Sequence, residues 1–151
     1  DFCVGQSAIE VKCQSGGTRP FIKISSEFQL CGQLPEVYLF VVTLGKVSAD
    51  YTDAITLPGL IADIRRELVA VPYDQSERFA DLLYGIGYVD SEAYLNYSYL
   101  VTNTLMYRVL PGFPRVCPED LPPGVSGITY DINLLACAGF SGQPDWMEAQ
   151  S

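Results

Sequence analysis

The chain contains no histidine. That absence excludes Ser-His-Asp and Cys-His nucleophile systems, H-E-x-x-H zinc proteases and histidine-based nucleases. Acid–base chemistry is left to carboxylates, Lys, Tyr and Cys, and a site built from carboxylates and a Lys is one of the few complete options remaining. Basic residues are scarce as well, nine against eighteen acidic ones for a net charge of −9, which argues against non-specific attraction to nucleic acid. No C-x-x-C occurs among the five cysteines, Cys3, Cys13, Cys31, Cys117 and Cys137. Their number is odd and several sit in apolar runs, so five free thiols in a reducing compartment are expected. The longest apolar runs, VYLFVV and NLLACAGF, are too short to span a bilayer, and no membrane partner is expected.

What is present is a globular composition, 48% hydrophobic and 18% charged, rather than a disordered one. A length of 151 residues suits one domain. The chain opens on Asp, inside a strand pattern, as a fragment of a longer protein does. Its charge is uneven. Residues 1–31 balance Lys12, Arg19 and Lys23 against Asp1, Glu10 and Glu27, so a polyanion site belongs near this end, with Arg19 and Lys23 as candidate phosphate contacts.

The pattern of elements is readable along the chain. DFCV and AIEVKC predict two strands joined by the turn GQS, and FIKIS a third. SSEFQLCGQ predicts a short helix capped by Ser25 or Ser26 and stopped at Gly32. EVYLFVVTL predicts a central strand buried on both faces. TLPGLIADIRRELVA predicts a helix with Leu60, Ile61, Ile64 and Leu68 on one face, and DQSERFADLLYGIG a second, with Asp74 as its cap and Glu77 completing a capping box. AYLNYSYLVTNTLMYRVLP reads as one or two strands, and PGFPRVCPEDLPPGVSG as a proline-rich loop. ITYDINLLAC predicts a last strand, and the tail from Gly139 reads as loose. Tyr94, Tyr97, Tyr99 and Tyr107 are numerous enough for base stacking, though strand aromatics ordinarily serve a core. Arg115 reads as a structural anchor or a DNA contact.

Strand side chains alternate, so Ile9, Val11 and Cys13 share one face of AIEVKC, and Glu10 and Lys12 the other. If DFCV and AIEVKC form a hairpin, Asp1 and Glu10 converge beside Lys12, in a cleft expected to be open to solvent. Two carboxylates suit Mg²⁺, which fills its remaining positions with water and phosphate oxygen. An ammonium next to them stays protonated and orients a water or stabilises transition-state charge.

The arrangement D-x8-E-x-K resembles the PD-(D/E)XK nuclease superfamily. There the Asp opens one strand, the (D/E)-x-K sits on the next, and a helix and a further core strand follow. DFCV, AIEVKC, SSEFQL and VYLFVVTL stand in that order. The wider pattern, with FIKISSEFQL, FPR and ITYDINL, is similar to a bacterial group of PD-(D/E)XK motif proteins associated with phage defence. The resemblance covers most of the chain. It implies an α/β restriction-endonuclease-like fold with a mixed β-sheet flanked by helices, and a single nuclease-like domain over 1–151 that lacks the upstream core helix and first strand. It implies Asp1, Glu10, Lys12 and Gln29 as catalytic positions. Asp1, Glu10 and the Val11 backbone carbonyl become metal ligands, with Mg²⁺ or Mn²⁺ as cofactor. The implied function is metal-dependent hydrolysis of DNA in the prokaryotic cytoplasm, with a catalytically inactive recognition or assembly module as the alternative. A sheet lacking its edge element is open to pairing with another chain, so a homo-oligomer or a defence-complex partner is expected beside DNA.

Overall fold

The computed structural model of the protein describes residues 2–32, 34–71 and 73–148. The chain divides into two compact units, Asp1–Leu44 with Val101–Ser151, and Gly45–Leu100. In the first, β1 (Phe2–Val4) and β2 (Ser7–Ser15) form an antiparallel hairpin with Phe2 opposite Ile9. Its tight turn needs a left-handed residue, and Gly5 supplies it at φ 58°. β4 (Glu36–Val47) lies parallel to β2, with Glu10 beside Leu39 and Lys12 beside Val41. β5 (Ser98–Arg108) borders β4, giving the order β1-β2-β4-β5. The sheet is thus mixed, as expected for an α/β restriction-endonuclease-like fold. Parallel neighbours need a long crossover, and residues 16–35 provide it. Within that crossover β3 (Phe21–Ile24) pairs antiparallel with β6 (Tyr130–Asn133) in a second, two-stranded sheet.

The alternation of FIKI decides where the core lies. Ile22 and Ile24 are buried while Phe21 and Lys23 are exposed. The two isoleucines meet Leu30, Val37, Leu39, Val41, Tyr107 and Ile132 in one hydrophobic cluster. Complete burial of a side chain such as Leu39 contributes about 1.5–3 kcal/mol. Tyr38 is buried on the opposite face of β4, so the central strand is covered on both sides, as its unbroken apolar run predicts.

In the second unit, α1 (Leu57–Leu68) opens where Thr56 accepts a hydrogen bond from the Gly59 N–H at 3.2 Å. α2 spans Tyr73–Gly85. Asp74 therefore lies inside its first turn, where its charge meets the positive end of the helix dipole, rather than ahead of it as the cap. Leu57, Leu60, Ile64, Phe79 and Leu83 line an apolar groove of about 400 Å³. Tyr94 stacks on Tyr88 with ring centres 5.5 Å apart.

Four further expectations are corrected. The segment after β3 is a succession of turns, not a helix: Gln29 donates to the Ser26 carbonyl and Cys31 to that of Phe28, both at 3.2 Å. Its side chains are tied elsewhere, as described below. The last strand stops at Asn133, whose side chain accepts from the Leu135 N–H and starts a 3-10 turn over Leu134–Phe140. The tail is not loose through its described part. Gly142 donates to the Met106 carbonyl at 3.1 Å, Pro144 is fully buried, and α3 covers Asp145–Glu148.

The fourth correction concerns the cysteines. Cys31 and Cys117 form a disulfide across 86 residues, with their Cα atoms 5.7 Å apart. Cys3, Cys13 and Cys137 are free. Burial pushes the Cys137 thiol up to about 11, which leaves it inert. Pairing between distant cysteines cannot be deduced from spacing. Denatured, unreduced protein should therefore yield three titratable thiols, and five after reduction. Cys31→Ser/Cys117→Ser protein should lose about 2–4 kcal/mol in urea unfolding; a count of five before reduction would overturn the bridge.

Candidate functional site

β2 carries the site because a polar triplet occupies alternate positions on the strand face turned toward the core. Glu10, Lys12 and Gln14 stand beside Leu39, Val41 and Thr43 of β4. Glu10 is only 3% exposed, and its Oε1 lies 2.7 Å from the Lys12 Nζ, itself 17% exposed. Lys12 also donates to the Gln29 Oε1 at 3.0 Å. Gln14 donates through Nε2 to the Thr43 Oγ1 at 3.1 Å. Among the described residues, two buried atoms of this stripe have no hydrogen-bond partner, the Glu10 Oε2 and the Gln14 Oε1.

Gln29 reaches Lys12 because its turn is fastened on both sides. The same Gln29 Oε1 accepts from the Ser25 N–H at 2.8 Å, which fixes the side chain against its own backbone. Glu27, buried, accepts from the Gly127 N–H at 2.9 Å and the Ile128 N–H at 3.1 Å. On the other side, the Arg115 Nη1 donates to the Leu30 carbonyl at 2.7 Å, Leu30 is fully buried, and Cys31 is bonded to Cys117. Arg115 is thus the structural anchor of the two readings its sequence allows. The Gly127 N–H, the Glu27 backbone N–H and that of Ile128 together hold the Glu27 carboxyl below the usual carboxylate range, against the opposing effect of burial.

The structure brings together Glu10, Lys12 and Gln29 of the expected catalytic set. Asp1 lies outside the described residues. Val11 sits between Glu10 and Lys12, its side chain half-buried and alternating to the opposite face. Arg19 and Lys23 are exposed and make no ion pair or hydrogen bond with the cluster. Lys23 lies instead across β3 from Asp131 of β6. The expectation of a cleft open to solvent is corrected: Glu10 is buried, because the face it shares with Lys12 is the face on which the core packs. Tyr107 is buried in that core, so it offers no stacking surface. Gln14 was legible in principle, since it continues the alternation of Glu10 and Lys12. Glu27 was not, because its partners lie 100 residues away in sequence.

Among the described residues, no group of three or more Cys, Asp or Glu side chains is gathered to hold a metal ion. An all-protein cage is therefore not what these residues offer. The orphaned Glu10 Oε2 does suit a hard divalent cation of the Mg²⁺ kind, which takes one or two carboxylates and completes its shell with water and substrate oxygen.

The burial of the pair has a measurable consequence. Lys12→Met leaves the Glu10 charge buried without its cation and should cost about 3 kcal/mol. Adding Glu10→Gln should recover much of that loss in the double variant, and an additive double-mutant cycle would show the pair to be uncoupled. Glu27 makes stability depend on pH. Its carboxyl is depressed in the folded state, so its contribution is complete above the ordinary value of 4.5 and is lost as pH falls through the lower folded value. Glu27→Gln should be less stable than wild type at neutral pH, and the gap should close below pH 4.5 in chemical denaturation; a gap constant with pH would contradict this.

Over residues 1–135 the chain matches a protein family described as "Putative PD-(D/E)XK family member, (DUF4420)". No curated protein and no solved structure gives a significant match. The matched span takes in the β1–β2 hairpin, the Gln29 turn, the Arg115 loop and β6. With the E-x-K strand and its Gln29 tether in place, the chain belongs to this PD-(D/E)XK family.

Proposed function

We propose that the protein is a metal-dependent deoxyribonuclease that hydrolyses DNA phosphodiester bonds. The observation that carries the reading is the orphaned Glu10 Oε2 beside an ammonium already held by two partners. An ammonium has three donors. Among the described residues Lys12 spends one on Glu10 and one on Gln29, which would leave one for a non-bridging phosphate oxygen or for the attacking water. A bound Mg²⁺ or Mn²⁺, held by Glu10 with Asp1 and the Val11 carbonyl, would supply charge neutralisation at the phosphate and a more acidic water. Gln29 fixes where the Lys12 charge stands, and the surrounding core keeps bulk water from weakening it. Arg19 and Lys23, on the exposed surface of the near-neutral N-terminal stretch, would contact flanking phosphate. The cytoplasmic, phage-defence setting belongs to the same proposal and is supported by the family resemblance.

One observation favours a second reading. Glu10 and Lys12 neutralise each other in a buried pair, as they would in a fold retained for recognition or assembly after catalysis was lost. The two readings separate in solution. Natural full-length protein should cleave DNA only with Mg²⁺ or Mn²⁺, and chelation should stop it. Glu10→Ala and Lys12→Ala, assayed where each is folded, should lose about 10²–10³ in rate. Without metal, Glu10→Ala should bind DNA as tightly as wild type or slightly tighter. Lys12→Ala should bind more weakly, with a shallower salt dependence. Metal-independent cleavage, or Glu10→Ala cutting at the wild-type rate, would reject the nuclease site. DNA binding without any cleavage would select the recognition module.

A further inference from the structure

In the second unit, α1 and α2 leave apolar side chains exposed between them. Leu57, Leu60 and Ile64 recur at i, i+3 and i+7 along α1, so they share one face, and all three are exposed. With Phe79, Leu83 and Ile86 of the α2 side they line the groove of about 400 Å³. Ile86 is 80% exposed there. Among the described residues, no charged side chain lines the groove. Apolar side chains gathered in an exposed patch with a polar rim mark an interaction site. A trough between two helices is a shape that takes a third, laid in through apolar anchors at i, i+3, i+4 and i+7.

The charge around the groove selects what lies in it. The unit Gly45–Leu100 holds four basic residues, Lys46, Arg65, Arg66 and Arg78, against nine acidic ones, for a net charge of −5. Two of those cations already stand beside acids, Arg66 at 2.9 Å from Asp63 and Arg65 at 3.8 Å from Asp90. The rim is acidic. Glu67 follows Ile64 by three positions on α1 and is exposed. Tyr88, in the lining, donates to Asp90 at 3.0 Å, and Asp90 and Glu92 share an adjoining hollow with Pro58 and Tyr88. Among the described residues, neither Glu67 nor Glu92 has a cation partner. A second copy of the chain would bring its own −9, and DNA or an anionic membrane would bring like charge, so all three are repelled. We infer that the groove docks an amphipathic helix of a protein partner, apolar on one face and rich in Lys or Arg on the other. Its apolar face sits on Leu60, Ile64 and Ile86, and its cations meet Glu67, Asp90 and Glu92. The apolar anchors supply the affinity, and the rim charges set orientation and speed association. The inference does not rest on the nuclease reading.

The test uses natural full-length protein and a synthetic peptide of about five helical turns, with Leu at the i, i+3, i+4 and i+7 positions and Lys elsewhere. Two control peptides keep its length. One scrambles the leucines so that no apolar face forms, and the other replaces Lys by Glu. The lysine peptide should bind saturably in calorimetry and gain helix in circular dichroism, and each control should bind at least about tenfold more weakly. Ile64→Lys sets a cation in the groove and should weaken the lysine peptide about tenfold or more. Val69→Lys makes the same change of charge at an exposed apolar position outside the groove lining and should weaken it no more than about threefold. Glu67→Lys/Glu92→Lys should weaken it as well, and the loss should shrink in high salt. No saturable binding of the lysine peptide would overturn the inference. So would equal binding of the scrambled peptide, or equal losses in Ile64→Lys and Val69→Lys, since either shows charge attraction without a groove. Equal binding of the glutamate peptide would overturn the basic partner. Wild-type protein that sediments as a dimer, and as a monomer in Ile64→Lys, would assign the groove to a second copy and overturn it too. If Ile64→Lys does not fold, Ile86→Lys decides by the same comparison with Val69→Lys.

Discussion

Everything at the candidate site depends on one buried ion pair. Lys12 lies 2.7 Å from Glu10 and donates to Gln29, so the position of its charge is set by both partners. Moving two charges out of water costs several kcal/mol each, so such a pair is a poor way to stabilise a fold. A core pair of Leu or Met side chains packed beside Leu39 and Val41 would serve stability better. The pair is also incompletely satisfied among the described residues, where one carboxylate oxygen has no partner. A half-satisfied polar cluster in a core is stable only at the expense of the surrounding packing, and sites of that kind are where function is sought.

The packing that carries this burden lies far from β2 in sequence. The Gln29 turn has no helical ladder of its own to hold it. It is fixed instead by Glu27 on the 127–128 backbone, by Arg115 on the Leu30 carbonyl and by the Cys31–Cys117 bond. Three different kinds of bond thus join one eight-residue stretch to the proline-rich loop and the segment after it. The loop has little regular structure, yet it determines where the Lys12 charge sits. Proline suits that task. It lowers the entropy lost on ordering a loop and withholds N–H donors that would otherwise need partners.

Much of this was legible in the residues. The alternation in AIEVKC gave the shared face of Glu10 and Lys12, and the unbroken EVYLFVVTL gave the central strand. The periodicity of Leu60, Ile61 and Ile64 gave α1. Other features could not be read, for physical reasons that differ from case to case. A buried polar face and an exposed one have the same two-residue period, so alternation could not tell that Glu10 points into the core. SSEFQL has the caps of a helix, but its Glu27 and Gln29 side chains bond to distant partners that hold it in turns. The Glu27 and Cys31 bonds join residues about 85–100 positions apart, and nothing local marks them. In the last strand, Asn133 turned the chain by accepting from the Leu135 N–H, as short polar side chains do at the ends of elements.

The acidity of the chain bears on how such a site could meet DNA. With a net charge of −9, long-range repulsion works against association with DNA, so affinity would have to come from short-range contacts. In the proposed reading the polar stripe on β2 would supply them. Lys12 contributes the only full positive charge in the stripe, and Glu10 cancels it at 2.7 Å. The Glu10–Lys12 pair is therefore close to neutral by itself; in the proposed reading a divalent cation would be held at the second Glu10 oxygen. Binding that cation would shift the local balance by two positive charges, in a region where few water dipoles remain to screen them. In a protein with so little positive charge to spare, the metal would then serve two ends at once, as part of the chemistry and as the source of attraction for the phosphate.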